Sequence, residues 1–182
     1  MIKLNAAQLR TIKANPEEFK KLPKNPIYII LDNVLDTYNV GSIFRLADAV
    51  AAKKIFLCGE TQVPPNTRIK KASINTTEWV EWHYEPSALC AIKNLIRQVG
   101  GQNLRVVAIE QDPRSVPYTQ MKFEFPLAVV VGNETNGVSK EVLEMADAIV
   151  ELPMFGVNIS LNVMVSLGIV LYKILESLPG DD

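Results

Sequence analysis

The chain has 182 residues, 48% of them hydrophobic and 21% charged, and its 19 Lys plus Arg against 20 Asp plus Glu give a formal net charge of −1. That length and balance describe a single soluble globular domain, able to bury a core without cross-links. Cys58, Cys90 and the single His83 offer neither C-x-x-C redox spacing nor a zinc ligand set, which argues against a metal-centred mechanism. No apolar run approaches the roughly 18 residues of a membrane span, and MIKLNAAQLR lacks the apolar core of a signal peptide, so a cytoplasmic protein without a membrane partner is expected.

The small total hides a gradient. Residues 1–25 carry six basic and two acidic side chains, net +4, whereas residues 131–182 carry two and eight, net −6. An acidic C-terminal part argues against a nucleic-acid coat over the whole surface, but a basic arm with Lys3, Arg10, Lys13, Lys20, Lys21 and Lys24 can still meet a polyanion. This N-terminal arm, residues 1–25, reads as short helical pieces, with Asn15 as N-cap, Pro16 in the first turn and Glu17 and Glu18 favouring the positive helix start.

The core domain, residues 26–182, begins at Pro26 with IYIILDNV, an apolar, β-branched run of the kind a strand covered on both faces carries. SIFRLADAVAA then reads as helix, KIFLCG as strand, residues 60–71 as a polar loop, EWVEWHY as strand, SALCAIKNLIRQVGG as helix and LRVVAIE as strand. PLAVVVG strand, GVSKEVLEMAD helix, AIVELP strand and a final helix from about Leu161 to Leu178 complete the chain. Such alternation predicts an α/β fold, a parallel sheet with helices on both faces. Trp79 and Trp82 read as core or interface packing.

Ligands of open parallel sheets bind beyond the carboxyl ends of the strands, so the loops after the apolar runs are where chemistry is sought. In DNVLDTYNVGSIFRLADA, Asn39-Val40-Gly41 leads into a helix carrying Arg45 in its first turns, an unfavourable place for a cation unless an anion compensates it; pairing with Asp32, Asp36 or Asp48 is the plainer alternative. VVVGNETNGVSKEV has the G-x-x-x-x-G outline of a phosphate cradle, but Val138 stands where the lysine belongs, and Glu134 would repel phosphate while suiting a cationic side chain or an amine. In VELPMFGVNISLNVMVSLGIVLYKIL, Ser160 can cap the last helix. Asn162 follows on a stretch otherwise of Leu, Val, Met and Ile, where a buried amide without partners costs about 1–3 kcal/mol, so a purpose is expected for it.

In order, N-x-G-x-x-x-R (NVGSIFR), G-x-E-x-x-G (GNETNG), and L-P-M followed by S-L-N-V (LPMFGVNISLNV) resemble the three motifs of the SpoU or TrmH family of RNA ribose 2′-O-methyltransferases. The resemblance spans residues 26 to about 178 and implies an α/β knot, with the C-terminal segment threaded into a deep trefoil. It further implies S-adenosylmethionine as cofactor, held mainly by backbone groups at Gly132, Leu152 and Leu161, with Ile109 a fourth position. Arg45 matches the family's catalytic arginine, Asn39 stands beside it, and Glu134, Ser160 and Asn162 match its supporting polar residues. Arg45 either takes the hydroxyl proton once a substrate phosphate engages it or clamps that phosphate; both roles stay open. tRNA or rRNA is the implied substrate, a homodimer using the apolar final helix the implied assembly, and the basic arm and Arg68, Lys70 and Lys71 the candidate RNA contacts. A non-catalytic RNA-binding or assembly module of the same fold, or a base methyltransferase, are the alternatives.

Overall fold

The computed structural model describes residues 16–99 and 103–179, together with Asn5 and Gln8. The expected cap at Asn15, the cations Lys3, Arg10 and Lys13 and the glycines 100 and 101 lie outside the described residues. In chain order the elements are α1 (Pro16–Lys20), β1 (Asn25–Asp32), α2 (Thr37–Ala49), β2 (Ala52–Cys58), α3 (Thr67–Ser73), a 3₁₀ turn (Thr76–Glu78), β3 (Trp82–Glu85), α4 (Ala88–Gln98) and β4 (Arg105–Ile109). They continue with β5 (Val116–Pro117), a 3₁₀ turn (Tyr118–Gln120), β6 (Leu127–Gly132), α5 (Lys140–Met145), β7 (Ala148–Glu151) and α6 (Val163–Leu175).

All seven strands pair in parallel in the order β3-β2-β1-β6-β4-β7-β5. The alternation expected of a doubly covered strand is visible in β1. Ile27, Ile29 and Leu31 point into one apolar layer with α2 and α6, whereas Tyr28 and Ile30 point into the other with α4 and α5. The chain winds outward from β1 through β2 to β3, then crosses back to place β6 and β4 on the other side. The direction of winding reverses between β1 and β6, whose carboxyl ends therefore lie at a topological switch point.

Four readings of local structure change. α2 begins at Thr37, capped by the Asp36 carboxylate accepting from the Tyr38 N–H at 2.8 Å, so Arg45 sits in its third turn and not near its positive end. Gly41 lies within this helix rather than in a turn before it: a Cβ there would stand 2.6 Å from Ala72 Cβ and 2.7 Å from the Ile69 carbonyl, so its bareness lets α3 cross α2 closely. The stretch EWVEWHY is strand only over Trp82–Glu85, and the presumed loop at 60–71 holds α3, capped by Asn66. Trp79 is core, its Nε1 donating to Asp48 Oδ1 at 2.7 Å and its ring meeting Phe19 of α1 edge-on at 5.3 Å. Among the described residues no helix is long and apolar enough to cross a membrane.

Candidate active site

At the switch point the loops after β1, β6 and β7 are joined side chain to side chain. Glu134, in the β6–α5 loop, accepts from the Leu35 N–H (3.0 Å), the Asp36 N–H (3.0 Å) and Asn39 Nδ2 (2.9 Å). Asn39 Oδ1 in turn accepts from Asn162 Nδ2 at 3.0 Å, and Asn162 Oδ1 accepts from the Met164 and Val165 N–H groups at 2.9 and 3.4 Å. Three residues separated by 95 and 123 positions thus form one hydrogen-bonded chain that ends on the first turn of α6.

The N-cap of α6 is therefore Asn162, and the helix starts at Val163, not at Leu161 under a Ser160 cap. The amide is exposed at a helix end instead of buried within an apolar helix, which resolves its cost. Asn162→Ala should destabilise the fold by about 1 kcal/mol through loss of the cap, while Ser160→Ala should stay within about 0.5 kcal/mol; paired urea titrations check this.

Burial works against the charged form of Glu134. The hydrogen bonds from the Asn39 amide and the backbone N–H groups of Leu35, Glu134 and Asp36 outweigh it, and the carboxyl lies below the ordinary carboxylate range. With the folded pKa below an unfolded value of about 4.3, this link contributes fully above that pH and is lost as pH falls through the folded value. Glu134→Gln should accordingly flatten the loss of stability between about pH 5 and pH 3, read from denaturant midpoints. The carboxylate is held by N–H donors, not by a cationic side chain as one reading of the sequence had it.

The β6–α5 loop owes its shape to a back-folded hairpin. Asn133 and Gly137 exchange backbone hydrogen bonds at 3.0 and 2.9 Å, and Asn133 Oδ1 accepts from the Thr135 and Asn136 N–H groups, both at 2.9 Å. Gly137 has φ +69°, a left-handed conformation, and a Cβ there would fall 2.1 Å from Glu110 Oε2. The loop's far end is held by two carboxylates, Glu110 Oε2 accepting from Val138 N–H at 2.9 Å and Asp32 Oδ2 from Ser139 N–H at 2.8 Å.

Beside this network lies a cavity of about 500 Å³, within the range of pockets that hold a small organic ligand. Ile109, Gly132, Leu152 and Leu161 line it, together with Glu134, Ser160 and Asn162. Asn39 touches the cavity only through its partners. Arg45 does not line it: six residues beyond Asn39, it stands roughly 120° around α2 and ~9 Å along it. Its side chain is exposed and forms no ion pair among the described residues; Asp32, Asp36 and Asp48 are engaged by Ser139, Tyr38 and Trp79. Among the described residues, Glu110, Glu134 and Glu151 line the cavity without any Lys, Arg or His. That donor set disfavours a polyphosphate and suits a ligand with net positive charge, as S-adenosylmethionine has with its sulfonium and ammonium against one carboxylate.

Sequence reading passes over Glu110 and Gln111, and takes Asp32 only as a possible ion-pair partner of Arg45. The signal for the first two was present, since they follow β4 immediately and the strand-end rule applies to that loop as to the other three. Asp32, the last residue of an apolar strand, gives no such signal; only its hydrogen bond to Ser139 reveals its use.

Residues 26–172 match the profile of the SpoU rRNA Methylase family. A Bacillus subtilis protein named as a TrmH family tRNA/rRNA methyltransferase is 31% identical, over 83% of this chain and 59% of its own length. The tRNA (guanosine(18)-2′-O)-methyltransferase of Aquifex aeolicus is 30% identical over 90% of this chain and 75% of its own. The crystal structure of an AdoMet-bound rRNA methyltransferase from Sinorhizobium meliloti superposes with a TM-score of 0.74 at 27% identity, covering 89% of this chain and 61% of that one. Of the B. subtilis and S. meliloti proteins this chain thus spans about three fifths of the length. A profile match running from β1 into α6, over the sheet that carries the joined loops, settles the family: the chain belongs to the SpoU rRNA Methylase family.

Proposed function

We propose that this protein is a cytoplasmic, S-adenosylmethionine-dependent methyltransferase acting on a ribose 2′-hydroxyl of tRNA or rRNA. The observation that carries the proposal is the hydrogen-bonded chain Glu134–Asn39–Asn162 at the rim of the 500 Å³ cavity, built from all three motif segments. Gly132, Leu152 and Leu161 would hold the cofactor through backbone groups, with Ile109 as a fourth contact and the three carboxylates supplying a negative field. S-adenosylmethionine supplies an electrophilic methyl group on a sulfonium. Glu134 and Asn39 fix the β1–α2 loop against the cavity, so that the sugar hydroxyl is received in a set orientation and much of the rate gain comes from positioning. The deep trefoil knot belongs to the same proposal, with the segment after β7 as the threaded part.

Arg45 does not line its own cavity, and a second copy of the chain answers that geometry. α6 buries Leu167, Val170, Leu171 and Ile174 within the chain while Val165, Ile169 and Tyr172 remain exposed on the same helix. α2 runs alongside, a Cβ on Gly168 standing 3.4 Å from Leu46 Cδ2, so the apolar stripe and Arg45 belong to neighbouring helices. A homodimer closed over this stripe would bury it and bring Arg45 of one copy toward the cavity of the other.

RNA contact falls on α3. Arg68, Lys70 and Lys71 are exposed and without ion pairs among the described residues, whereas Lys54, Arg105, Arg114 and Lys173 are each paired with a carboxylate. Reversing the three α3 charges to Glu should raise KM for RNA at least ~10-fold and lower its salt slope by about one per cation, with cofactor affinity unchanged.

The test of the proposal is tritiated methyl transfer from S-adenosylmethionine into tRNA and rRNA pools. Incorporation that depends on Asn39 and Glu134 supports it. Cofactor binding with no incorporation into either pool would instead identify a non-catalytic RNA-binding module.

A further inference from the structure

The end of β4 and the loop after it contribute Ile109, Glu110 and Gln111 to the cavity wall. Glu110 continues the pairing of β4 with β7, its N–H donating to the Val150 carbonyl at 3.1 Å, and its carboxylate accepts from the N–H groups of Gln111 (2.8 Å) and Val138 (2.9 Å). Gln111 Nε2 donates to the carbonyl of Ile159. Adjacent residues therefore grip the β6–α5 loop with one side chain and segment 153–161 with the next.

That segment has little else to hold it. Phe155, Val157 and Ile159 are 96%, 100% and 78% exposed, and the bond from Gln111 is the one hydrogen bond between residues 153–161 and the remaining described residues. The same segment supplies Met154, Ile159, Ser160 and Leu161 to the cavity wall.

We propose that Gln111 is a positioning residue for the cofactor, fastening segment 153–161 against the cavity while Glu110 ties its base to the β6–α5 loop; this rests on the cavity being the S-adenosylmethionine site. Gln111 is exposed, so substitutions there leave the fold intact.

The experiment measures S-adenosylmethionine affinity by titration calorimetry, with melting temperature and steady-state kinetics alongside, for the wild type, Gln111→Ala and Gln111→Met. The uncharged thioether of the latter keeps the length of the side chain but cannot donate to a carbonyl. Both variants should bind the cofactor about 3- to 10-fold more weakly, with the cofactor KM rising by the same factor, kcat at saturation preserved and melting unchanged. Glu110→Gln, which removes charge from the same brace, should weaken binding in the same sense. Wild-type affinity in both Gln111 variants overturns the inference while leaving the proposed function standing. Failure of the wild type itself to bind S-adenosylmethionine overturns both.

Discussion

Arg45→Ala is expected to reduce methyl transfer by on the order of 10³-fold while cofactor affinity stays at the wild-type value. The second half of that expectation follows from where the side chain stands: it does not line the cavity of its own chain and makes no ion pair with another described residue whose loss would disturb the fold. The first half follows from chemistry. A guanidinium keeps its charge and offers five donors in a fork suited to phosphate, so its removal costs whatever binding is made only when the RNA backbone is in place. Arg45→Lys separates the two roles. A phosphate clamp tolerates lysine with a raised KM for RNA, because charge survives and bidentate geometry does not, whereas a residue that takes the hydroxyl proton shifts the pH profile of kcat, because an ammonium gives up its proton more readily than a guanidinium. If the site is shared between two copies, mixing Arg45→Ala chains with chains defective at Asn39 restores activity in the mixed dimer. Turnover unchanged in Arg45→Ala would remove this residue from the site.

Asn39→Ala should be the most damaging single change in the hydrogen-bonded chain. Asn39 is 5% exposed and is the one residue that both donates to Glu134 and accepts from Asn162. Its loss leaves Asn162 Nδ2 without its acceptor and Glu134 with backbone donors alone, at about 1–3 kcal/mol, or a fall in melting temperature of several degrees at ~2–4 °C per kcal/mol. Because the same side chain sets the β1–α2 loop against the α6 start, methyl transfer should fall at least ~10²-fold, well beyond the fraction unfolded at assay temperature. Calorimetry and initial rates on one preparation check this. A lowered melting temperature with full activity would make Asn39 a purely structural link.

How far these positions were legible follows from the physics of each. β1 and β6 were plain because strands covered on both faces are written as unbroken β-branched runs, and both are buried almost throughout. The start of α2 was misplaced because Gly41 reads locally as a turn; its reason is Ala72, thirty-one residues away, which no helical period can show. α3 was hidden in seven residues carrying three cations and one buried apolar side chain, Ile69, too little for a helical stripe. β5 is two residues long and exists through its pairing with β7 alone.

The site divides the same way. The three loops stood out because polar residues directly after apolar strands are unusual, but that Glu134 would be spent on N–H groups of the β1–α2 loop depended on the hairpin geometry of residues 133–137. Glu110 and Gln111 were overlooked because LRVVAIE ends in what looks like an ordinary charged strand terminus. Sequence gives no account of the side of α2 from which Arg45 projects until the helix start is known, and a six-residue spacing from Asn39 then places the two on different faces.

The central claim is that this cleft delivers a methyl group to a sugar oxygen. Nuclease digestion of RNA labelled by the wild-type protein from isotopic S-adenosylmethionine, followed by mass spectrometry of the nucleosides, tests it most directly. Label on the ribose of a 2′-O-methylnucleoside, absent with Arg45→Ala, is the predicted result; label on a base, or none in any RNA, would contradict it.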